Sequence, residues 1–255
     1  MDFYRFDVFT KYRNVIHAVT MRTEDYPYGL SLALHTGEDA EKIIQNRKVL
    51  ETSLCPGMSV HFVVAKQTHS THISVIEGKG SRGWQKQEDA LEDCDALITD
   101  RKNTILTILT ADCVPVLLYD RKKEVVAAIH AGWRGTKGKI VAKCILKMQE
   151  QYGCRVEDMV AGIAPAIGGC CYEVGEDVAR YFSDFPESCT AKGEKFMLDL
   201  PTINRRQLLD AGVKAENIEM SGICTACESE RFFSYRKEEG CSGRFMSLIG
   251  IVPSG

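Results

Sequence analysis

Three segments of the chain place a metal-binding side chain at the end of an apolar stretch or in the adjoining loop. His69 lies in AKQTHSTHI, Cys113 in LTADCVPVLLY and His130 in VVAAIHAGWRGT. Two imidazoles and one thiolate leave one position of a tetrahedral zinc open, which is typical of a catalytic site. The open position lets the metal bind water or polarise a substrate oxygen. We therefore predict a zinc centre in which His69, Cys113 and His130 are both metal ligands and catalytic residues.

Two neighbouring residues bear on this metal site. His72 follows His69 by three positions, and in an extended segment the two side chains would point to opposite faces. We expect His69 to be the ligand and His72 to be a polar edge residue. Asp112 precedes Cys113, and a buried acid is costly unless it is paired or orients a ligand. Asp112 is therefore a further catalytic candidate, although each of these residues also has a purely structural interpretation.

A possible anion site follows His130. The segment HAGWRGTKGK is typical of a strand, a glycine turn and a helix, whose first N–H groups and Arg134 could hold an anion. The alternative is a tight turn with a surface arginine. The chain contains neither a Walker-type phosphate loop nor G-x-G-x-x-G, so ATP and dinucleotide chemistry have no support.

The chain has eleven cysteines, an odd number. Cys224 and Cys227 form a C-x-x-C pair, which is half of a four-cysteine zinc site. A second C-x-x-C is missing, although Cys241 lies nearby, and the tandem Cys170 and Cys171 cannot easily bridge to each other. Inert thiols are therefore favoured over a structural zinc or a redox role.

Length and charge limit the classes of protein. We expect 255 residues to form a single catalytic domain, residues 1–255, with a substantial core. A net charge of −3 argues against nucleic acid as a main partner. No apolar run is long enough to span a membrane, and the N-terminus lacks the pattern of a signal peptide. We expect a cytoplasmic protein, and the composition leaves its oligomeric state open.

Hydrophobic periodicity predicts a mixed α/β (α+β) fold that is layered and not a regular βαβ repeat. The expected strands are residues 58–65, 71–77, 95–99, 104–109, 114–119, 124–129, 158–164, 231–235 and 244–252. The expected helices are residues 135–152, 174–182 and 201–210, with Gly153 ending the first.

Five motifs carry a resemblance to a known family. QTHS, TADCVPVLLYD, AAIHAGWRGT, GIAPAIGGCCYEVG and FFSYR resemble the laccase-domain family, also described as multicopper polyphenol oxidoreductases and as purine nucleoside phosphorylases. The resemblance extends from about Ile16 to Ile251. It implies mixed sheets sandwiched between helices and one zinc bound by His69, Cys113 and His130. It also implies phosphorolysis of adenosine, inosine, guanosine and methylthioadenosine, with adenosine deamination at the same site.

The N-terminal third departs from the family pattern. The family resembles H-G-x-S-T-R-x-G-G followed by L-N-L, whereas this chain has HAVTMRTEDY and then LSLALHTGED. Arg22 keeps its place, both glycines are absent and Ser31 stands where Asn is usual. We expect Arg22, Arg134 and Arg236 to bind the purine nucleoside or phosphate.

Other chemistries remain open. A copper-dependent polyphenol oxidase would need about ten histidines, mostly in H-x-H pairs, by ligand counting. The chain has six histidines and no such pair, so copper would enter only adventitiously in the zinc position. A hydrolase with Cys113 as nucleophile and His130 as base is a second alternative. Deamination needs an additional acid, for which Asp112 and Glu173 are candidates.

Overall fold

A computed structural model of the protein describes residues 1–240 and 243–253, so Cys241 lies outside the described residues. The strands are β1 (Phe3–Tyr4), β2 (Val15–Thr20), β3 (His61–Val63), β4 (Ile73–Val75), β5 (Ala96–Thr99), β6 (Thr104–Thr110), β7 (Val114–Asp120), β8 (Val125–Ala131), β9 (Met159–Ile163), β10 (Glu173–Val174), β11 (Cys189–Lys192), β12 (Lys195–Leu198), β13 (Ile218–Met220) and β14 (Phe245–Ile251). The helices are α1 (Asp7–Thr10), α2 (Pro27–Leu30), α3 (Ala40–Leu54), α4 (Trp133–Lys137), α5 (Ile140–Tyr152), α6 (Glu176–Ala179) and α7 (Leu200–Asp210).

The strands form three sheets. Their orders are β1-β2-β14-β6-β3, β13-β9-β7-β8-β5-β4 and β10-β12-β11. The two larger sheets are mixed, because β3 pairs with β6, β4 with β5 and β13 with β9 in parallel while their other pairs are antiparallel. The mixed α/β fold predicted from the sequence is thus confirmed.

The layers follow from alternation along the central strands. On β7, Val114, Val116 and Leu118 belong to one apolar cluster, whereas Leu117 and Tyr119 belong to another. Successive side chains of a strand point to opposite faces, so β7 contributes to both clusters. The first cluster also contains residues of α5 and α7, and the second contains residues of the five-stranded sheet. The two large sheets therefore pack face to face, with helices outside.

Some predicted elements differ from the observed ones. The expected helix over 135–152 is divided into α4 and α5, because Lys139 adopts a left-handed conformation with φ of 57°. Helix α5 ends at Gly153, as predicted. The predicted strand over 231–235 is wrong. This segment forms turns, and its apolar appearance comes from Phe232 and Phe233, which are buried within a loop.

Helix α3 was not predicted, and it positions a loop beside the functional site. Asp39 caps its first turn by accepting a hydrogen bond from the Glu41 backbone N–H. The fully buried Arg47 of this helix donates to the carbonyls of Leu32, Gly83 and Trp84. These bonds satisfy a guanidinium that would otherwise be costly to bury. They tie the chain near residue 32 to the helix. Within the described residues, no helix has the length and apolar character needed to cross a bilayer.

Candidate metal centre

The fold brings His69, Cys113 and His130 together. Strands β7 and β8 pair antiparallel, with Val114 opposite Ala131. Cys113, just before β7, therefore meets His130 near the end of β8, and His69 arrives on the loop between β3 and β4. The potential ligand atoms of the three residues all lie within 4.8 Å of one another. The Cys113 sulfur lies 3.8 Å from His69 Nε2.

Asp95, which sequence reasoning missed, lies behind this group. Its carboxylate is completely buried and 2.7 Å from His130 Nδ1. It also accepts hydrogen bonds from the backbone N–H groups of His69 and Ser70, at 3.1 and 2.7 Å, and from the Ser70 hydroxyl. One carboxylate thus orients one histidine and anchors the loop that carries the other. Asp95 immediately precedes the buried strand β5, and no local pattern in the sequence reveals its partners.

The close approach of the three side chains depends on Gly132. A Cβ atom at this position would lie 3.0 Å from His69 Cδ2 and 3.1 Å from the Cys113 sulfur. Any larger residue would therefore press against two of the three candidate ligands. His69 has φ of 60°, a left-handed conformation that its backbone hydrogen bond to Asp95 helps to hold.

The electrostatics favour a thiolate. Burial opposes ionisation of the Cys113 thiol, but the charge of His130 and hydrogen bonds from both histidines outweigh it and lower the pKa to about 6. Burial also opposes protonation of His130, yet Cys113 and Asp95 raise its pKa to about 9. Burial disfavours the Asp95 carboxylate, but its bonds to His130 and Ser70 hold its pKa well below the usual range. Cys113 is therefore ionised at neutral pH, the form that binds metals.

These residues fit a zinc ion. Because His130 Nδ1 faces Asp95, Nε2 is the ring nitrogen left to bind a metal, and it would release its proton on doing so, as in a carboxylate–histidine–zinc arrangement. The His69 Nε2 atom and the Cys113 sulfur face each other across the same space. His72 points elsewhere, and its Nδ1 lies 2.8 Å from the Asp93 carboxylate at the protein surface.

Asp112 lies beside Cys113 but contacts neither candidate histidine ligand. Its carboxylate accepts hydrogen bonds from the Thr225 hydroxyl at 2.7 Å and from the Arg236 backbone N–H at 2.6 Å. Its φ of 92° is strained for a residue other than glycine. These bonds, with the one from Ile167 N–H to its carbonyl, compensate for that strain. Asp112 therefore shapes the wall of the site, whereas Asp95 orients the histidine.

The three residues line a cavity of about 580 Å³. This volume lies in the usual range for small-molecule sites. Two of the three predicted substrate-binding arginines, Arg134 and Arg236, line the same cavity. Each is held over an aromatic ring, Arg134 over Trp133 at 4.4 Å and Arg236 over Tyr172 at 5.1 Å. The remaining lining residues include several that sequence reasoning missed: Tyr172, Tyr235, His35, Gln67 and Arg244.

Two candidates lie outside this cavity. Arg22 lines a neighbouring cavity, where it binds Glu238 at 2.7 Å, and the two cavities share His35 and Arg244. The Glu173 carboxylate is paired with Lys195, at 2.8 Å, and does not line the cavity. Of the two acids proposed to assist deamination, only Asp112 thus borders the site.

Comparison with known proteins identifies the family of the chain. The family described as multi-copper polyphenol oxidoreductase laccase matches residues 16–252. The chain belongs to this family. A purine nucleoside phosphorylase of Bacteroides thetaiotaomicron is 38% identical, over 96% of this chain and 95% of the relative. A protein named adenosine deaminase RL5, from an unknown prokaryotic organism, is 37% identical over 87% of this chain and 86% of the relative.

One solved structure has the same overall fold as this chain. YlmD from Geobacillus stearothermophilus superposes with a TM-score of 0.92 at 30% sequence identity, over 99% of this chain and 97% of that chain. The similarity covers both large sheets and the helices outside them.

Proposed function

We propose that the protein is a zinc-dependent purine nucleoside phosphorylase acting on adenosine, inosine, guanosine and methylthioadenosine. The observation that carries this proposal is the His69–Cys113–His130 group in a cavity that also presents Arg134 and Arg236. The relatives named as purine nucleoside phosphorylases support it.

Different side chains of the cavity suit the base and the phosphate. Its aromatic side chains, Trp133, Tyr172 and Tyr235, suit stacking against a purine base. Arg134 and Arg236 suit binding of phosphate, for which a planar guanidinium offers paired donors. In the reaction, a phosphate oxygen bonds to the anomeric carbon while the bond from that carbon to the base nitrogen breaks. The products are the 1-phosphate of the nucleoside's sugar, which is ribose 1-phosphate for inosine, and the base, which takes up a proton.

His69, Cys113 and His130 would hold the zinc. When bound there, zinc would supply Lewis-acid polarisation of a phosphate or substrate oxygen. Asp95 holds the Nδ1 side of His130, which leaves Nε2 as the nitrogen that would bind the metal, and it holds the backbone at His69.

Product analysis tests the phosphorolysis. Zinc-loaded protein incubated with inosine and inorganic phosphate should release hypoxanthine and ribose 1-phosphate in equal amounts. Cys113→Ala should lose this activity, whereas Cys189→Ala should keep it because Cys189 is a half-buried thiol outside the cavity. No product from any of the four nucleosides with zinc-loaded protein would exclude the proposal.

Adenosine deamination at the same site is a second candidate activity, supported by the relative named as an adenosine deaminase. Water would replace the C6 amino group, giving inosine and ammonia, and Asp112 is the acid that borders the cavity. Incubation of adenosine without phosphate isolates this reaction. Inosine should appear with the wild type and not with Cys113→Ala. A variant that lost one activity and kept the other at full rate would contradict a shared site.

A cysteine hydrolase and a copper-dependent phenol oxidase are the two alternative functions for this site. The Cys113–His130 pair, with its lowered thiol pKa, also suits a cysteine hydrolase. Metal analysis of protein purified without added metal separates this alternative, because a bound zinc occupies the thiolate. Copper-dependent phenol oxidation would require more histidines near the site. Among the described residues, the groups able to hold a metal contain only His69 and His130.

A further inference from the structure

Four cysteines outside the catalytic cavity converge in the fold. Cys170 and Cys171 lie on the segment between β9 and β10, and Cys224 and Cys227 follow β13. Their sulfur atoms all lie within 4.8 Å of one another. The Cys227 sulfur is 3.6 Å from that of Cys170 and 3.4 Å from that of Cys171. The C-x-x-C pair therefore finds its partners in the tandem pair, about fifty residues earlier in the chain.

These separations suit a shared metal ion. Four Zn–S bonds of about 2.3 Å in a tetrahedron place the sulfurs about 3.8 Å apart. The 3.4 and 3.6 Å separations at Cys227 are close to this value. A disulfide would require sulfurs at about 2.05 Å. Four thiolates also form a donor set that favours soft or borderline metals such as Zn²⁺ over Mg²⁺ or Ca²⁺.

Backbone hydrogen bonds also support the arrangement. The two segments are joined by hydrogen bonds from Ala166 N–H to the Ile223 carbonyl at 3.3 Å, and from Thr225 N–H to the Ala166 carbonyl at 3.0 Å. The Cys224 sulfur accepts a hydrogen bond from Gly168 N–H at 3.3 Å. N–H groups aimed at a sulfur stabilise its thiolate form. The main chain thus holds the two cysteine pairs opposite each other.

We propose that Cys170, Cys171, Cys224 and Cys227 form a second metal site that binds one Zn²⁺ through four thiolates. All four positions of the tetrahedron come from the protein, so the site is structural. Binding releases the thiol protons to solvent and leaves a dianionic centre at the protein surface. The site does not depend on the reaction performed in the catalytic cavity.

This ion would join two walls of the catalytic cavity. Cys171 immediately precedes Tyr172, whose ring lies under Arg236. Cys224 immediately precedes Thr225, whose hydroxyl donates to Asp112. The zinc therefore positions the walls of the cavity without touching the substrate.

Metal counting tests the second site. Protein purified without added metal or chelator should contain about two zinc ions per chain by elemental mass spectrometry, one in each site. Cys113→Ala and Cys227→Ser should each retain about one, and the double variant almost none. Cys189→Ser, the matched control, should retain the wild-type content. A Cys227→Ser variant with the wild-type zinc content, or a Cys113→Ala variant with none, would overturn the proposal.

Cobalt spectroscopy tests the same site, first with its four cysteines intact. In Cys113→Ala protein, Co²⁺ should give the sulfur-to-cobalt charge-transfer bands and intense visible bands of a tetrahedral tetrathiolate centre. Cys170→Ser should weaken these bands, even if Cys227→Ser fails to fold. Absence of such bands in folded Cys113→Ala protein would overturn the proposal. So would a disulfide among the four cysteines, detected by alkylation and mass spectrometry of freshly purified protein without reductant.

Discussion

Replacement of Asp95 by Asn is the sharpest test of how the catalytic metal centre is built. One carboxylate oxygen of Asp95 faces His130 Nδ1 and His69 N–H, and the other faces the N–H and hydroxyl of Ser70. An amide has only one acceptor oxygen. Whichever way the Asn side chain turns, its NH₂ group points at donors that the carboxylate had satisfied.

Each orientation has a cost that can be stated. With the NH₂ group towards Ser70, a buried backbone N–H loses its acceptor, which costs about 1–3 kcal/mol. With the NH₂ group towards His130, Nδ1 must become the acceptor, so Nε2 carries the proton and cannot bind a metal. Loss of such a supporting carboxylate weakens metal affinity about 10–100-fold. We therefore expect Asp95→Asn to weaken zinc binding at the catalytic site by that factor and to lower the free energy of unfolding by about 2 kcal/mol.

Competition with a chromophoric chelator measures the zinc affinity, and denaturant unfolding in excess chelator measures the stability without metal. Cys227→Ser should serve as the background, so that only the catalytic site is counted. Asp93→Asn is the matched control, because Asp93 is exposed and its two contacts, with His72 and with the Thr68 hydroxyl, lie at the surface. It should change either quantity by less than about 1 kcal/mol. Wild-type zinc affinity in Asp95→Asn would refute the orienting role of this carboxylate, and a loss of stability alone would leave it only as a loop anchor.

Three further predictions concern the centre and its surroundings. Gly132→Ala should lose most catalytic-site zinc in the same competition assay, because its methyl group would displace two ligands, whereas Gly135→Ala, with its nearest contacts at 3.4 Å, should retain it. Arg134→Gln should raise the KM for phosphate about tenfold or more in the phosphorolysis assay, and Arg22→Gln should raise it less, because Arg22 lines the neighbouring cavity. Burial lowers the pKa of His17 from 6.5 to about 4, so its protonation opposes folding. The stability it contributes is complete above about pH 6.5 and is lost as the pH falls towards 4, by about 3 kcal/mol in total. Denaturant unfolding from pH 7 to pH 4 should show a steeper loss of stability in the wild type than in His17→Gln, which keeps a smaller slope because burial also lowers the pKa of His35. Equal slopes would contradict the assignment.

Local patterns in the sequence were sufficient for the central strands. Strands β5 to β9 were predicted close to their observed bounds, because their apolar runs are short, continuous and interrupted by turn residues. The elements of the N-terminal third were predicted less well, and helix α3 was not predicted at all. Its buried face includes Asn46 and Arg47, polar residues that only tertiary hydrogen bonds make compatible with burial. The segment 231–235 was wrongly predicted as a strand because its aromatic residues are buried by tertiary contacts of a loop, which the sequence alone does not distinguish from a strand.

The sequence by itself determined which residue types could hold the metal, because the family motifs carry His69, Cys113 and His130. It did not indicate Asp95, since an acid at the start of a strand has no local pattern that reveals its partners. Only the tertiary structure paired the tandem cysteines with C-x-x-C and separated Arg22 from the catalytic cavity. Side-chain periodicity reports the face of a helix or strand on which a residue lies. Contacts between distant segments depend instead on strand register and on loop closure, which are settled when the whole chain packs.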